Sequence, residues 1–271
     1  MRARHPLLMS IPHGGDEVPP EVSDRVMVTA RDIFYDADAL TRKLFDFKSN
    51  VVAAIEMQIA RAIVDVNRAP DDRPPQNWDG VIKSLTTNGT PVYKKDMFPD
   101  DTLIGRLLQR YYFPFHEKLD YLLEHHDIKL ALDCHSMQNH APPTSENPAR
   151  ERPLICLSNR GDGRGMPTTE RGPITCPPEW IQELAESFRR VFTNEGTVTI
   201  NNPFFGGFIS QFHYRRTGIP WIQIEINRKL YLAEPYFDLQ TLQVNEARIQ
   251  ELRTKIFRAI EEFWNEFDAF C

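Results

Sequence analysis

The sequence predicts an α/β fold: a single domain built on an open, mostly parallel twisted sheet flanked by helices. Three observations carry that expectation. Short apolar runs alternate with segments of helical periodicity, and no repeat or low-complexity tract interrupts them. Several of these runs end abruptly in polar residues, as in Leu130-Ala131-Leu132-Asp133-Cys134-His135-Ser136. No shift in composition marks a linker along the 271 residues.

In chain order, Leu7 to Ile11 reads as a first strand that stops at Pro12-His13-Gly14-Gly15. A helix is expected from about Asp36, with Leu40, Leu44 and Phe45 at helical spacing. Val51 to Ile55 and Ala62 to Val66 read as strands, the second ending in Asp65-Val66-Asn67-Arg68. A long polar excursion follows, from Ala69 to about Asp101; loops of that length inside a compact fold usually serve function. Thr102 to His125 carries one apolar stripe and reads as an amphipathic helix that Pro114 kinks or splits. Leu130 to Asp133 is the next strand, followed by a Pro-rich loop from Ala141 to Arg152 and a strand at Leu154 to Leu157. A loop from Gly161 to Pro178 precedes a helix at Glu179 to Thr193 and a short strand at Val198 to Ile200. The bend Asn201 to Gly207, a short helix around Gln211, a strand at Trp221 to Ile226 and a long helix at Glu246 to Phe267 complete the chain.

Composition narrows the function classes. A hydrophobic fraction of 41% with 26% charged residues suits a soluble globular protein with a full core. The net charge of −6 argues against a nucleic-acid partner, which requires a basic face. Cys134, Cys156, Cys176 and Cys271 show no paired spacing and read as reduced thiols of a cytosolic protein. Residues 1–10 hold only a three-residue apolar run, so no signal peptide is expected, and nothing later is long enough to span a membrane.

Polar residues cluster at four strand ends: His13 with Asp16, Asn67 with Arg68, Asp133 with His135, and Glu225 with Asn227 and Arg228. In open α/β sheets, ligands bind in the crevice beyond the carboxyl ends of the strands. An Asp-x-His there lets a neutral imidazole bind metal while a carboxylate fixes its tautomer. Two imidazoles, carboxylates and guanidiniums together meet the needs of a mononuclear metal hydrolase. Cys134 beside His135 suggests a Cys–His hydrolase, but adjacent strand residues point to opposite faces and could not share a proton. His116 reads as a structural residue of the long helix, and His213 carries no argument.

The motifs Pro12-His13-Gly14-Gly15, Tyr35-Asp36-Ala37-Asp38, Arg61 to Arg68, Asp133-Cys134-His135-Ser136, Asn202 to Gly207 and Gln223 to Arg228 resemble, in order, the N-formylglutamate amidohydrolase family. The matches run from about residue 9 to 231. The resemblance implies a zinc-exopeptidase-like fold, shared with zinc carboxypeptidases and aspartoacylase, and one divalent metal ion, zinc first. It implies His13 and His135 as metal ligands. Asp36 is expected as the third ligand, with Asp16 as the alternative, because His13-Gly14-Gly15-Asp16 copies an H-x-x-E spacing. Read alone, Asp36 is a helix N-cap. Glu225 is expected as general base, against the plainer reading of an ion pair with Arg228 or another arginine. Arg61 is similar in position to an arginine that polarises the scissile carbonyl, against a salt bridge to Asp65. Asn67 and Arg68 are expected to grip the α-carboxylate, since a guanidinium fork matches two oxygens.

The expected activity is cleavage of the amide of a small N-acylated acidic amino acid, N-formyl-L-glutamate to formate and glutamate, in the cytoplasm. The rivals are a zinc amidase or carboxypeptidase acting on peptide or cell-wall fragments, and a non-catalytic binding protein of the same fold. A closed pair of long loops favours the small substrate, and an open groove favours the chain.

Overall fold

The computed structural model describes residues 4–268. A six-stranded sheet runs in the order β2-β1-β3-β6-β4-β5. Its strands are β1 (His5–Ile11), β2 (Val51–Glu56), β3 (Leu130–Met137), β4 (Ile155–Ser158), β5 (Val198–Ile200) and β6 (Trp221–Asn227). β2, β1, β3 and β6 are mutually parallel; β4 pairs antiparallel with β6 and parallel with β5. A hairpin of β7 (Phe237–Asp238) and β8 (Gln243–Val244), not foreseen from sequence, lies apart from this sheet. The helices are α1 (Ala30–Asp36), α2 (Thr41–Leu44), α3 (Asp101–Leu107), α4 (Phe113–His125), α5 (Pro178–Val191), α6 (Phe208–Thr217) and α7 (Glu246–Asp268).

Strand alternation decides where the site forms. Successive side chains on a strand face opposite sides. Leu7, Met9, Ile11, Leu130, Leu132, Cys134, Ile222, Ile224 and Ile226 share one face, packed on α2, α5 and α7. On the other face Leu8, Ala131 and Trp221 join a core with α3, α4 and residues 59–66. That second face is apolar only over its first half. Towards the strand ends it carries Ser10, Asp133, His135, Gln223 and Glu225, with Ser10 beside Asp133, Asp133 beside Gln223, and His135 beside Glu225. The chain moves from β1 outward to β2 and then to β3 on the opposite side of β1, which places a topological switch point beside those polar ends.

Three expectations need correction. Ala62 to Val66 forms turns rather than a strand; its apolar residues are buried, and burial alone gave the run its strand-like look. The helix expected from Asp36 ends there instead, started at Ala30 by a capping box between Thr29 and Asp32. The Thr102 to His125 helix is interrupted just before Pro114 rather than at it. A π turn at Leu108–Tyr112 brings the Phe113 amide to the Leu108 carbonyl, and Pro114 begins α4 where its missing donor costs nothing.

Cys134, Cys156 and Cys176 are buried free thiols, and Cys271 lies outside the described residues. Among the described residues no helix is long and apolar enough to cross a membrane.

Candidate active site

His13 sits in the turn that ends β1, and His135 is the sixth residue of β3. Their rings approach to 4.8 Å between centroids, tilted by 66°. Asp38 stands between them: its Oδ2 is 2.8 Å from His135 Nδ1 and 3.5 Å from His13 Nδ1. The backbone secures this arrangement, since the Asp38 amide donates to the His13 carbonyl at 2.9 Å. Arg228, from the end of β6, donates to the other Asp38 oxygen at 3.1 Å. Ligand atoms of His13, Asp38 and His135 all lie within 4.8 Å of one another.

Each imidazole has a carboxylate behind it. His13 Nε2 donates to Asp65 Oδ1 at 2.7 Å, so its Nδ1 carries the lone pair, and that atom is buried with no hydrogen-bond partner. His135 Nε2 lies 3.1 Å from Asp133 Oδ2 and 3.3 Å from the Asn67 amide nitrogen. Burial alone would raise the Asp38 carboxyl, but hydrogen bonds and charge from His13 and His135 hold it well below the usual range. Asp65, also fully buried, is held low against burial by His13, Lys83 and Arg61. Burial would lower His135, yet Asp133 and Asp38 push it well above the ordinary imidazole value. An orphaned imidazole nitrogen, a second imidazole and an anionic carboxylate converging on one buried point fit a divalent cation.

The structure changes the candidate for third ligand. Asp38, not Asp36, joins the histidines. Asp36 is buried nearby, but its Oδ1 accepts from the Thr87 amide at 2.7 Å and the Thr87 hydroxyl at 3.0 Å. Asp16 is further away in role: its side chain is 71% exposed and pairs with Arg42. The misreading follows from the helix boundary. With α1 ending at Asp36 and Ala37 extended, the residue carried back to His13 is Asp38.

Glu225 faces the same cavity, a space of about 440 Å³ also lined by Arg61, Asn67 and Arg68. Burial raises its carboxyl to about 7, against the opposing pull of His135. Gln223 donates to Glu225 Oε1 at 2.9 Å, and the plain ion pair with Arg228 does not form, because Arg228 is spent on Asp38, Ser136 and the Tyr35 carbonyl. Arg61 reaches Asp65 at 3.3 Å, so the salt bridge weighed from sequence is present, and its Nε is buried without a partner. The Arg68 fork is occupied by Asp79: Nη2 meets Oδ2 at 2.6 Å and Nε meets the Asp79 carbonyl at 2.8 Å. Asn67 accepts from the Ile209 amide at 2.8 Å, and its side chain packs so closely on Gly207 that a β-carbon there would fall 2.3 Å from it.

Of three residues behind the site, only Lys83 was absent from the expectations; Asp133 was expected beside His135, and Asp65 as an ion-pair partner of Arg61. Lys83, fully buried, pairs with Asp65 at 3.1 Å and with Asp79. Asp65 and Asp133 lie inside motifs already quoted, so their signal was present; that of Lys83, within the long excursion, was not. The two long loops meet above the cavity, where the Thr144 hydroxyl donates to the Thr87 carbonyl at 2.6 Å.

A mostly parallel sheet whose central strands end beside this His-Asp-His group, with Glu225 in register with His135, is the arrangement of a hydrolytic enzyme on an α/β fold. Comparison with known proteins gives the particular family. Residues 5–232 match the model of the family described as N-formylglutamate amidohydrolase. The chain is 30% identical over 244 residues to an N-formylglutamate deformylase of Pseudomonas putida, covering 86% of this chain and 84% of the relative. It is 31% identical over 248 residues to the enzyme of the same description from Pseudomonas aeruginosa, with the same coverage of both chains. In fold it resembles the crystal structure of N-formylglutamate amidohydrolase from Ralstonia eutropha JMP134: TM-score 0.73, 22% identity, 97% of this chain and 95% of the other covered. The chain belongs to the N-formylglutamate amidohydrolase family.

Proposed function

We propose that this protein hydrolyses N-formyl-L-glutamate to formate and L-glutamate, using one divalent ion, zinc first, held by His13, Asp38 and His135. The observation that carries the reading is the convergence of those three side chains beside Glu225 in one cavity. When bound, the ion supplies Lewis acidity toward water and the amide carbonyl.

The chain's own groups account for the rest. Glu225 holds its Oε1 on Gln223, which leaves Oε2 to take a proton from the attacking water and return it to the leaving amine. A carboxyl raised to about 7 suits both halves of that transfer near neutral pH. Arg61 keeps its positive charge among Asp65, Asp36, Asp79 and Asp38, and polarises the amide oxygen from the cavity wall. Asn67 and Arg68 line the cavity, but a carboxylate grip by Arg68 requires the substrate to displace Asp79 from its fork. The hydrogen bond between Thr144 and Thr87, both lining the cavity, ties the two long loops together, which favours a small substrate over a polymer. Buried reduced thiols support a cytoplasmic setting.

The test is turnover of N-formyl-L-glutamate, N-acetyl-L-glutamate and a formylated peptide by zinc-loaded protein, scored as free amine released. Formate and glutamate should appear with the first substrate and vanish with a chelator. Release from the peptide alone would overturn the reading in favour of the peptide-acting rival.

A further inference from the structure

Four guanidiniums line the catalytic cavity: Arg61, Arg68, Arg152 and Arg228. Three have a carboxylate within 4 Å. Arg61 faces Asp65 at 3.3 Å, Arg68 faces Asp79 at 2.6 Å and Arg228 faces Asp38 at 3.1 Å. Arg152 differs. No ion pair is found for it among the described residues, and its Nε is buried without any hydrogen-bond partner. Its backbone is nonetheless well fixed, with the amide donating to the Asn139 carbonyl at 2.9 Å and the carbonyl accepting from Asn227. The guanidinium lies over the Phe204 ring, 4.9 Å from its centroid, which orients the fork by stacking. It stands where the catalytic cavity meets a second space of about 260 Å³, since it lines both.

Arg152 is half-buried with no carboxylate within 4 Å, only Glu225 attracts it from further off, and burial pushes its guanidinium below its usual value. Such an arrangement is relieved when the ligand brings the anion. The proposed substrate brings two carboxylates, and the other cavity arginines are already neutralised by the protein's own acids. We infer that Arg152 is the residue that receives a carboxylate of the substrate, and that the loop ending at Arg152 therefore sets the preference for N-acylated acidic amino acids. This rests on the reaction proposed above and moves the carboxylate grip from Arg68 to a residue in a different loop.

The experiment compares wild type, Arg152→Lys and Arg152→Ala on N-formyl-L-glutamate, its γ-amide N-formyl-L-glutamine, and its α-amide. With the free diacid, Arg152→Ala should lower kcat/KM about 10²-fold, mostly through KM, since two charge-assisted hydrogen bonds are lost. Arg152→Lys should recover only part of it, because an ammonium lacks the planar fork. On the amide that lacks the carboxylate Arg152 holds, wild type and Arg152→Ala should become nearly equal, which identifies that carboxylate as α or γ; on the other amide the loss should persist. Melting temperature and metal content should not fall in Arg152→Ala, because no ion pair is broken. Equal losses on all three substrates, or no loss on any, would overturn the inference. If wild type turns over none of them, the reaction assignment fails instead. Calorimetry with glutarate then still decides Arg152: binding at least about tenfold weaker in Arg152→Ala supports the inference, and equal binding rejects it.

Discussion

The protein buries two pairs of histidines, and only one is a candidate metal centre. His13 and His135 are 3% and 2% exposed; His116 on α4 and His213 on α6 are 6% and 0%. Burial does not separate them. Their partners do. His116 Nε2 donates to the Val66 carbonyl at 3.0 Å, which leaves Nδ1 to accept from His213 Nε2 at 3.0 Å. The second pair therefore consumes its inward nitrogens on the backbone and on itself, stacked at 5.2 Å. In the first pair, carboxylates hold the outer nitrogens and both Nδ1 atoms turn towards Asp38. A buried histidine becomes a ligand when something else holds its other nitrogen and its lone pair is left without a donor.

Deleting each ring should separate the two pairs most sharply. His13→Ala or His135→Ala should remove nearly all bound metal and activity, whereas His116→Ala and His213→Ala should keep one equivalent of metal at reduced stability. Metal analysis after dialysis decides it; full occupancy in His13→Ala would refute the centre. The same assay sharpens the third position: Asp38→Asn should lose metal, and Asp36→Asn, which serves Thr87, should retain it. The reverse result would restore Asp36.

A smaller effect is expected at Glu225, which touches no ligand pair directly. Glu225→Gln should keep its metal while kcat falls by roughly 10²–10⁴-fold, the range for a general base. Near-normal turnover would leave Glu225 a structural neighbour of Gln223. Smaller again is Asp65→Asn, which spares the ring but weakens its support: metal affinity should drop about 10–100-fold. Asp120→Asn, the matching change behind His213, should leave metal affinity unchanged.

The difference between the pairs was partly legible in the sequence. Asp133-Cys134-His135 on a strand, with Leu130 and Leu132 in phase with Cys134, places the histidine and its carboxylate together on the opposite face. His116 stands at a buried position of a helix and was read correctly as structural. What could not be read was long-range. The Asp65 contact joins residues 52 positions apart, and the Arg228 contact with Asp38 joins residues 190 apart. No local pattern specifies either. The Asp36 expectation failed for a local reason. Thr29 and Asp32 mark the start of α1 at Ala30, so Asp36 lies at the end of that helix and not at its N-terminus. The freedom of Arg152 depends on where every other cavity carboxylate is spent, which only the folded chain reveals.

The structural pair also makes stability depend on pH. Burial, reinforced by the charge of His213, lowers His116 to about 3; burial, reinforced by Arg216, lowers His213 to about 4. Unfolded histidines titrate near 6.5, so between that value and the folded ones the unfolded chain binds more protons. Stability from this pair is therefore fully present above about pH 6.5 and is lost as pH falls towards 4, by at most about 1.4 kcal/mol per pH unit for each ring. Asp120, 2.9 Å from His213 Nδ1, opposes the trend by pairing with a protonated ring, so His116 should carry the clearer signal. His116→Gln keeps a donor for the Val66 carbonyl and removes one titration. Denaturant unfolding of both proteins at pH 7.5, 6.0 and 5.0, without added metal, gives the comparison. The variant should be the less stable at pH 7.5, yet lose about 1 kcal/mol less per unit below pH 6. Parallel curves would mean that His116 accepts its proton in the folded chain, and the contrast with the metal-site pair would then rest on geometry alone.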